Sequence, residues 1–594
     1  MNSTPHNFHI PVMGIGFTID TPLKVAPFGI DSVISLVDDV LLERLRGMYC
    51  HKFGISYTEI PEATEDFRAL RITAYLNLLQ DLAERQFQEL KQNALQGLKS
   101  LEMYFRMFPD TAPIRVEFQK LLSDHCPWEE LRKWASSNFY MGSVDVNIMT
   151  KVDKDNYRDG EKLSVAYNDA HAALRGYAQS KLSSSLVLSA GLNPRLYSYL
   201  EQFDDFYPDA HGQLKKKIIL KVSDFRSALI QGKFLAKKGI WVSEFRVESG
   251  LNCGGHAFAT EGQLLGPILA DFRDRREELL LALHEILLPV LEKRGGWVPK
   301  RPQPVKISAQ GGVGTAEEHQ FIRQHYQVGS VGWGTPFLLV PEATTVDQET
   351  LDKLLAAKEE DLYLSDISPL GVPFNSLKGN TKDLEKWESI KKGRPGSSCP
   401  RKFVALNKEF GDRGLCTASR QYQHLKIKEL EAKQYPSDEF ERQYDKITEK
   451  SCTCVGLGTA ALLVHKMDTR KEGQGVSICP GPNMAYFDRI MSLREITDHI
   501  YGRANMMHRT DRPHMFIKEL DLYLDYLQNA MARDIGDAKQ QKFYSGFAEN
   551  LGNGIDYYIK LAIAEKWPPI NMGGQLEKRK ERLMELMLVE GIGT

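Results

Sequence analysis

Six short apolar runs, each followed by a helical pattern, leave few folds open to this chain. They span 143–149 (SVDVNIM), 184–191 (SSLVLSAG), 216–222 (KKIILKV), 239–248 (GIWVSEFRVE), 305–312 (VKISAQGG) and 328–334 (VGSVGWG). The intervening segments 224–238 and 315–327 read as helices. Strands alternating with helices build a parallel sheet joined by crossover helices, and ligands of such sheets gather at the carboxyl ends of the strands. The expected fold is therefore α/β, a (β/α)8 TIM barrel.

A barrel takes about 250 residues, and this chain has 594, so large additions are required. Between a first apolar segment (10–36) and the strand at Val144, leucines recur at three and four, as in FRALRITAYLNLLQDLAERQFQELKQ (67–92). That spacing predicts a helical insertion over about 40–140, after the first strand. From residue 391 the texture changes: KKGRPGSSCPRK reads as a linker, and five of the eight cysteines follow. We expect a barrel over 1–390 and a mostly helical, Cys-containing domain over 391–594.

With 76 basic against 78 acidic residues, a formal net charge of −2, the chain has no electrostatic footprint for nucleic acid or an anionic membrane. A small molecule is the expected partner. The first twenty residues lack the pattern of a signal peptide, and no run reaches the roughly 18 apolar residues of a membrane span. Eight cysteines without an export signal are expected as thiols or metal ligands in the cytoplasm.

Two glycine-bearing strand ends carry the first chemical signal. Gly311 and Gly312 end one run before a helix, and Gly334 and Thr335 end the next. Glycine admits close backbone approach, and amides at a helix N-terminus bind anions, so consecutive strand ends of this kind suit a phosphate. Two tight structural turns would leave the same trace. The second signal is GLNCGGHAF (250–258), directly after an apolar strand. Gly254 and Gly255 make room there, and His256, which titrates near neutrality, is placed to remove a proton; a structural turn histidine has the same sequence signature. Lys221 ends its strand as either a solvated lysine or a charge at the site.

On these residues the chain resembles the nitronate monooxygenases, formerly called 2-nitropropane dioxygenases. The family's Ala-Gly-Gly-His, whose histidine abstracts the substrate α-proton, is similar to Cys253, Gly254, Gly255 and His256. Its Gly-Gly-Ile phosphate turn resembles Gly311, Gly312 and Val313, and its Met-Gly-Thr-Arg-Phe segment resembles Trp333, Gly334, Thr335, Pro336 and Phe337. Its opening Pro-Met strand end looks like Ile10 to Gly14, with Met13 at the matching position, and its Val-Asn-Leu looks like Val146, Asn147 and Ile148. SPLGVPFNSLKGN (368–380) resembles the family's closing segment without its arginine. The match runs in order over much of residues 8–380. It departs at Cys253, at Pro336 and in the length of the insertion. The resemblance implies FMN, held at Met13, Gly14, Asn147, Lys221, Gly254, Gly255, Gly311, Gly312, Trp333, Gly334 and Thr335, with His256 as catalytic base. It implies oxidation of a small carbon acid, with oxygen or another acceptor taking the electrons.

Cys399, Cys416, Cys452, Cys454 and Cys479 are the candidate metal ligands, for an iron-sulfur cluster or zinc. Their spacing fits neither a Cys-x-x-Cys pair nor a ferredoxin run, so buried thiols are the competing expectation. A cluster would make the enzyme a reductase or dehydrogenase, with an electron-transfer partner or a second copy of the chain as possible partners. A non-flavin barrel enzyme acting on a phosphorylated metabolite is a further alternative. His499, His508 and His514 are expected on a solvated helix face, and 576–591 as an amphipathic helix packed on its own domain.

Overall fold

The computed structural model describes residues 4–189, 191–533, 538–564 and 572–589. Eight parallel strands close into a barrel: β1 (Phe8–Ile10), β2 (Asp31–Ser35), β3 (Val144–Met149), β4 (Ser185–Ser189), β5 (Lys217–Val222), β6 (Val242–Glu248), β7 (Lys306–Gln310) and β8 (Ser330–Gly332). The TIM-barrel expectation holds, and all six apolar runs contain strands; Ala190, at the end of one run, lies outside the described residues. Closure falls to β1, which pairs with β8 through Phe8↔Val331 and with β2 through His9↔Asp31.

One expectation is corrected. The segment 10–36 does not hold a single strand, so the helical insertion follows β2 rather than β1. The strand β1 has only three residues, and the connection to β2 keeps burying apolar side chains such as Phe17, Ile19 and Leu23. Hydrophobicity therefore never falls between the two strands, and periodicity cannot separate them.

The insertion contains five helices, from Asp39–Lys52 to Trp128–Ser136. Its longest, Phe67–Ala94, buries Ile72, Tyr75, Leu76, Leu79, Leu82 and Ala83 at helical spacing. It crosses the helix Asp169–Gln179 at Gly176, where an added Cβ would lie 2.7 Å from the Ala69 carbonyl oxygen. Only a residue without a side chain permits that approach.

Downstream of residue 390 the chain is mostly helical, and its apolar side chains, among them Ile496, Phe516, Leu520 and Leu551, belong to the same buried cluster as the barrel strands. The stretch expected as a linker is irregular but anchored: Cys399 is buried, and Arg401 ion-pairs with Glu472 and Asp38. The helix Thr453–Val464 lies against the turn after β1, where the Gly16 amide donates to Leu457 O at 2.8 Å. The last helix, Met572–Val589, buries Leu576 and Leu583 and ion-pairs Arg579 with Asp521, so the amphipathic face packs on its own chain; residues 590 and 591 lie outside the described residues. No single described helix is long and apolar enough to cross a membrane.

Glu519, on the helix Met515–Arg533, ties this C-terminal part to the barrel. Its buried carboxyl meets Ser249 Oγ at 2.5 Å and the Leu265 amide at 3.1 Å, with Tyr558 OH at 3.3 Å. Burial pushes its pKa from 4.5 up to about 7. The folded protein therefore keeps a proton that the unfolded chain releases near pH 4.5, and the associated stability, roughly 3 kcal/mol, is full below that pH and is lost as pH rises towards 7. Glu519→Gln is expected to flatten this decline in denaturation curves taken between pH 4.5 and 7; a variant that retains the wild-type slope contradicts the assignment.

Candidate active site

The carboxyl ends of the strands surround two adjoining cavities that share Val12, Gly14, Gly254, Gly255, Gln310 and Cys479. Met13, Gly14, Gly254, Gly255, Gly311, Gly312, Gly334 and Thr335 line the first. Asn147, Lys221 and His256, with Gly14, Gly254 and Gly255 again, line the second, of about 200 Å³. Barrel topology thus brings together every expected cofactor residue but one. Trp333 lines neither cavity. Its indole is 1% exposed and donates to His319 Nδ1 at 3.0 Å. The backbone at β8's end reaches the site while this side chain turns outward to the surrounding helices.

Gly312 has φ +80°, and an added Cβ would meet Asn252 Nδ2 at 2.1 Å, so the turn after β7 requires glycine. Among the described residues, the amides of Gly312, Val313 and Thr335 donate to no protein acceptor. The carbonyls are engaged instead: Asn483 Nδ2 donates to Gly312 O and Val313 O, both at 2.9 Å, and Arg512 Nη2 donates to Gly312 O at 2.6 Å. Fixing the carbonyls of a turn fixes the direction of its amides.

Arg512 also meets Glu318 Oε1 at 2.7 Å, with both side chains almost fully buried, and Glu318 in turn accepts from the amides of Gly314 at 2.8 Å and Met515 at 2.7 Å. Burial alone would raise the Glu318 carboxyl, but Arg512 and His514 hold it below its ordinary range. The helix Ala316–His325 therefore already carries its own carboxylate at its N-terminus. His499 belongs to the same support. It is 2% exposed and bonds Gly314 O at 2.9 Å, and His514 faces Glu318; neither lies on the solvated helix face expected from sequence.

The loop around Cys479 to Asn483 forms the outer wall. Its Gly481 amide donates to Thr335 Oγ1 at 3.0 Å, and Cys479 O accepts from the Gly255 amide at 3.1 Å. A Cβ on Gly254 would lie 2.5 Å from that same carbonyl oxygen. Sequence reasoning noted SICPGP for its cysteine; the Pro-Gly-Pro beside it, a strong turn signal, is what marks the wall.

In the second cavity, Lys221 Nζ pairs with Glu248 Oε2 at 2.6 Å, and Gln310 Nε2 donates to Glu248 Oε1 at 2.8 Å, a chain across the ends of β5, β6 and β7. The lysine charge is thus matched by a carboxylate that sequence reasoning missed. Among the described residues, buried Asn147 Oδ1 and Gln310 Oε1 have no hydrogen-bond partner. His256 Nε2 lies 2.8 Å from Ser368 Oγ, and its ring packs 4.9 Å from that of Phe374. The hairpin of β9 (Leu362–Ser365) and β10 (Phe374–Leu377) clamps this turn, with the Asn375 amide donating to Gly255 O and Ala257 N to Pro373 O. Burial first, then Lys151 and Lys221, push the His256 pKa down to about 4.

Open amides at one end and unpartnered carbonyl oxygens at the other form a donor and acceptor set that fits FMN, which has an anionic phosphate and a ring bearing N–H. The metal expectation is corrected: among the described residues, no group of three or more His, Cys, Asp or Glu side chains is arranged to hold a metal ion. Cys399, Cys416 and Cys452 are buried thiols, Cys454 lines the second cavity, and Cys479 belongs to the outer wall. A hydrogen bond with Cys452, then burial, pushes the Cys399 thiol far up, and burial pushes Cys416 and Cys479 up to about 12.

No family model matches this chain, and no curated protein is significantly similar to it in sequence. Among solved structures, FabK from Thermotoga maritima is similar at 12% identity over 88% of this chain and 96% of its own, with a TM-score of 0.34. The enoyl reductase domain of MlnA, from the macrolactin biosynthesis cluster of Bacillus amyloliquefaciens, is similar at 15% identity over 71% and 89%, with a TM-score of 0.30. Likeness this loose leaves the chemistry to the residues themselves.

Removing one partner of a buried ion pair strands the other charge. Arg512→Met is expected to cost about 3–5 kcal/mol in urea denaturation, and wild-type stability in that variant would remove Arg512 as the support of the β7 turn.

Proposed function

We propose that the chain is an FMN-dependent oxidoreductase, similar in chemistry to nitronate monooxygenase, that oxidises a small carbon acid after His256 takes its proton. The observation that carries this reading is a half-buried histidine on the turn after β6, held towards its neutral form by its surroundings, in a cavity that adjoins an open amide cradle. When bound, FMN supplies the acceptor for the substrate's two electrons.

The amides of Gly312, Val313 and Thr335 would hold the phosphate, and Asn147 Oδ1 and Gln310 Oε1 would accept from ring N–H groups. His256 Nε2 and Ser368 Oγ lie 2.8 Å apart; in the tautomer in which Nε2–H donates to Ser368 Oγ, the lone pair of His256 is on Nδ1 and Ser368 acts as a positioning residue. An imidazole with a pKa pushed down to about 4 is a weak base. It removes a proton only from carbon already acidified by an electron-withdrawing neighbour, which selects the substrate class. The clamp by β9 and β10 keeps the ring fixed. A reductase fed by an iron-sulfur cluster loses its support with the absence of a ligand group among the described residues.

Two measurements test this. The purified protein is expected to show flavin absorbance and to release FMN on denaturation; a colourless protein that refuses added FMN would sink the reading and leave the cradle to another phosphorylated metabolite. With a carbon acid as substrate, His256→Asn is expected to lower kcat/KM by about 10²–10⁴-fold with FMN still bound. The wild-type kcat/KM should be level near neutral pH and fall as pH drops through about 4, where His256 gains its proton.

A further inference from the structure

We propose that a third cavity, on the far side of His256, is the substrate pocket, and that Lys151 there selects substrates bearing a carboxylate. The inference rests on the oxidoreductase reading of His256 and adds the identity of the group that is recognised.

This cavity, of about 450 Å³, shares Lys221, Glu248, His256 and Phe258 with the flavin side, so one imidazole borders both. A substrate there can present its acidic carbon to His256 without displacing the cofactor. The charges lining it are Lys151, Lys221, Glu248 and Glu261. Lys221 and Glu248 satisfy each other at 2.6 Å. Lys151 differs. It follows β3 by two residues, its ammonium lies 5.0 Å from the Phe258 ring centroid, and among the described residues it pairs with no carboxylate. Phe258 is two residues from His256, so the ammonium of this exposed side chain lies over the turn that carries His256.

The field at the imidazole agrees. After burial, the groups acting on His256 are Lys151 and Lys221, both in the direction that disfavours a further positive charge. An anion is the charge type that such a field attracts. Ser227 supplies a directional partner: its Oγ accepts from Gln231 Nε2 at 2.9 Å, and its own hydrogen has no protein acceptor among the described residues. A carboxylate between Lys151 and Ser227 would also offset the positive field, so that His256 becomes a stronger base only once substrate is in place.

The test uses the full-length protein as purified, with malonate as the probe and malonamide as its uncharged isostere: binding is compared at pH 7, and the His256 ring protons, assigned against His256→Asn, are titrated by NMR with and without each probe. Malonate is expected to bind about tenfold or more tightly than malonamide and to raise the pH at which His256 titrates. Lys151→Met should abolish that preference and Lys151→Arg should keep it. Equal binding of the two probes, or a preference that survives in Lys151→Met, would overturn the proposal. The two readings fail separately. A protein that binds malonate through Lys151 but takes no FMN loses only its flavin assignment, and a yellow protein indifferent to malonate loses only this one.

Discussion

Everything at the site depends on a three-residue strand. Phe8–Ile10 is hydrogen-bonded between β8 and β2, and it converts an open sheet into a closed ring. Closure sets Met13 and Gly14 beside the strand ends of β6, β7 and β8, whose glycines are hundreds of residues away in sequence. A barrel lacks free edges, so its carboxyl ends form a rigid rim on which loops can differ without loss of the core. Chemistry is carried by that rim, and stability by the strands beneath it.

The rim alone is incomplete. Its turn after β7 is oriented from outside the barrel by Asn483 and Arg512, and Arg512 in turn is fixed by Glu318 at the start of the next helix. His256 is fixed in the same way by Ser368 and by the β9–β10 clamp. In both cases the reacting or ligand-facing group lies on a barrel loop, and the group that fixes it comes from later in the chain. Preorganisation of this kind keeps a site within the tolerances that binding and proton transfer demand.

The barrel and the cradle were legible in sequence because their signals are local: strand-length apolar runs, glycines at strand ends, a Gly-Gly-His after a strand. The failures have physical causes. The strand β1 could not be separated from β2 because apolar residues run on between them. Trp333 has the right position along the chain, but consecutive residues at a strand end point to opposite sides, and its indole serves His319. Of the cysteines grouped from sequence, Cys399, Cys416 and Cys452 do lie near one another as buried thiols, whereas Cys479 belongs to the outer wall. Glu248, Ser368 and Arg512 left no trace, since their partners lie far off or gain meaning only through the fold: Ser368 is 112 residues from His256, and Arg512 is 200 from Gly312.

That last separation has a consequence for how the molecule is made. Synthesis proceeds at roughly 5–20 residues per second, so Arg512 leaves the ribosome about 10–40 s after Gly312. All eight strands have emerged by then, since β8 ends at Gly332. The nascent barrel thus spends its first moments with an unbraced turn and an open rim, accessible to a cofactor from solvent, and the late-arriving segment then closes the wall over whatever has bound.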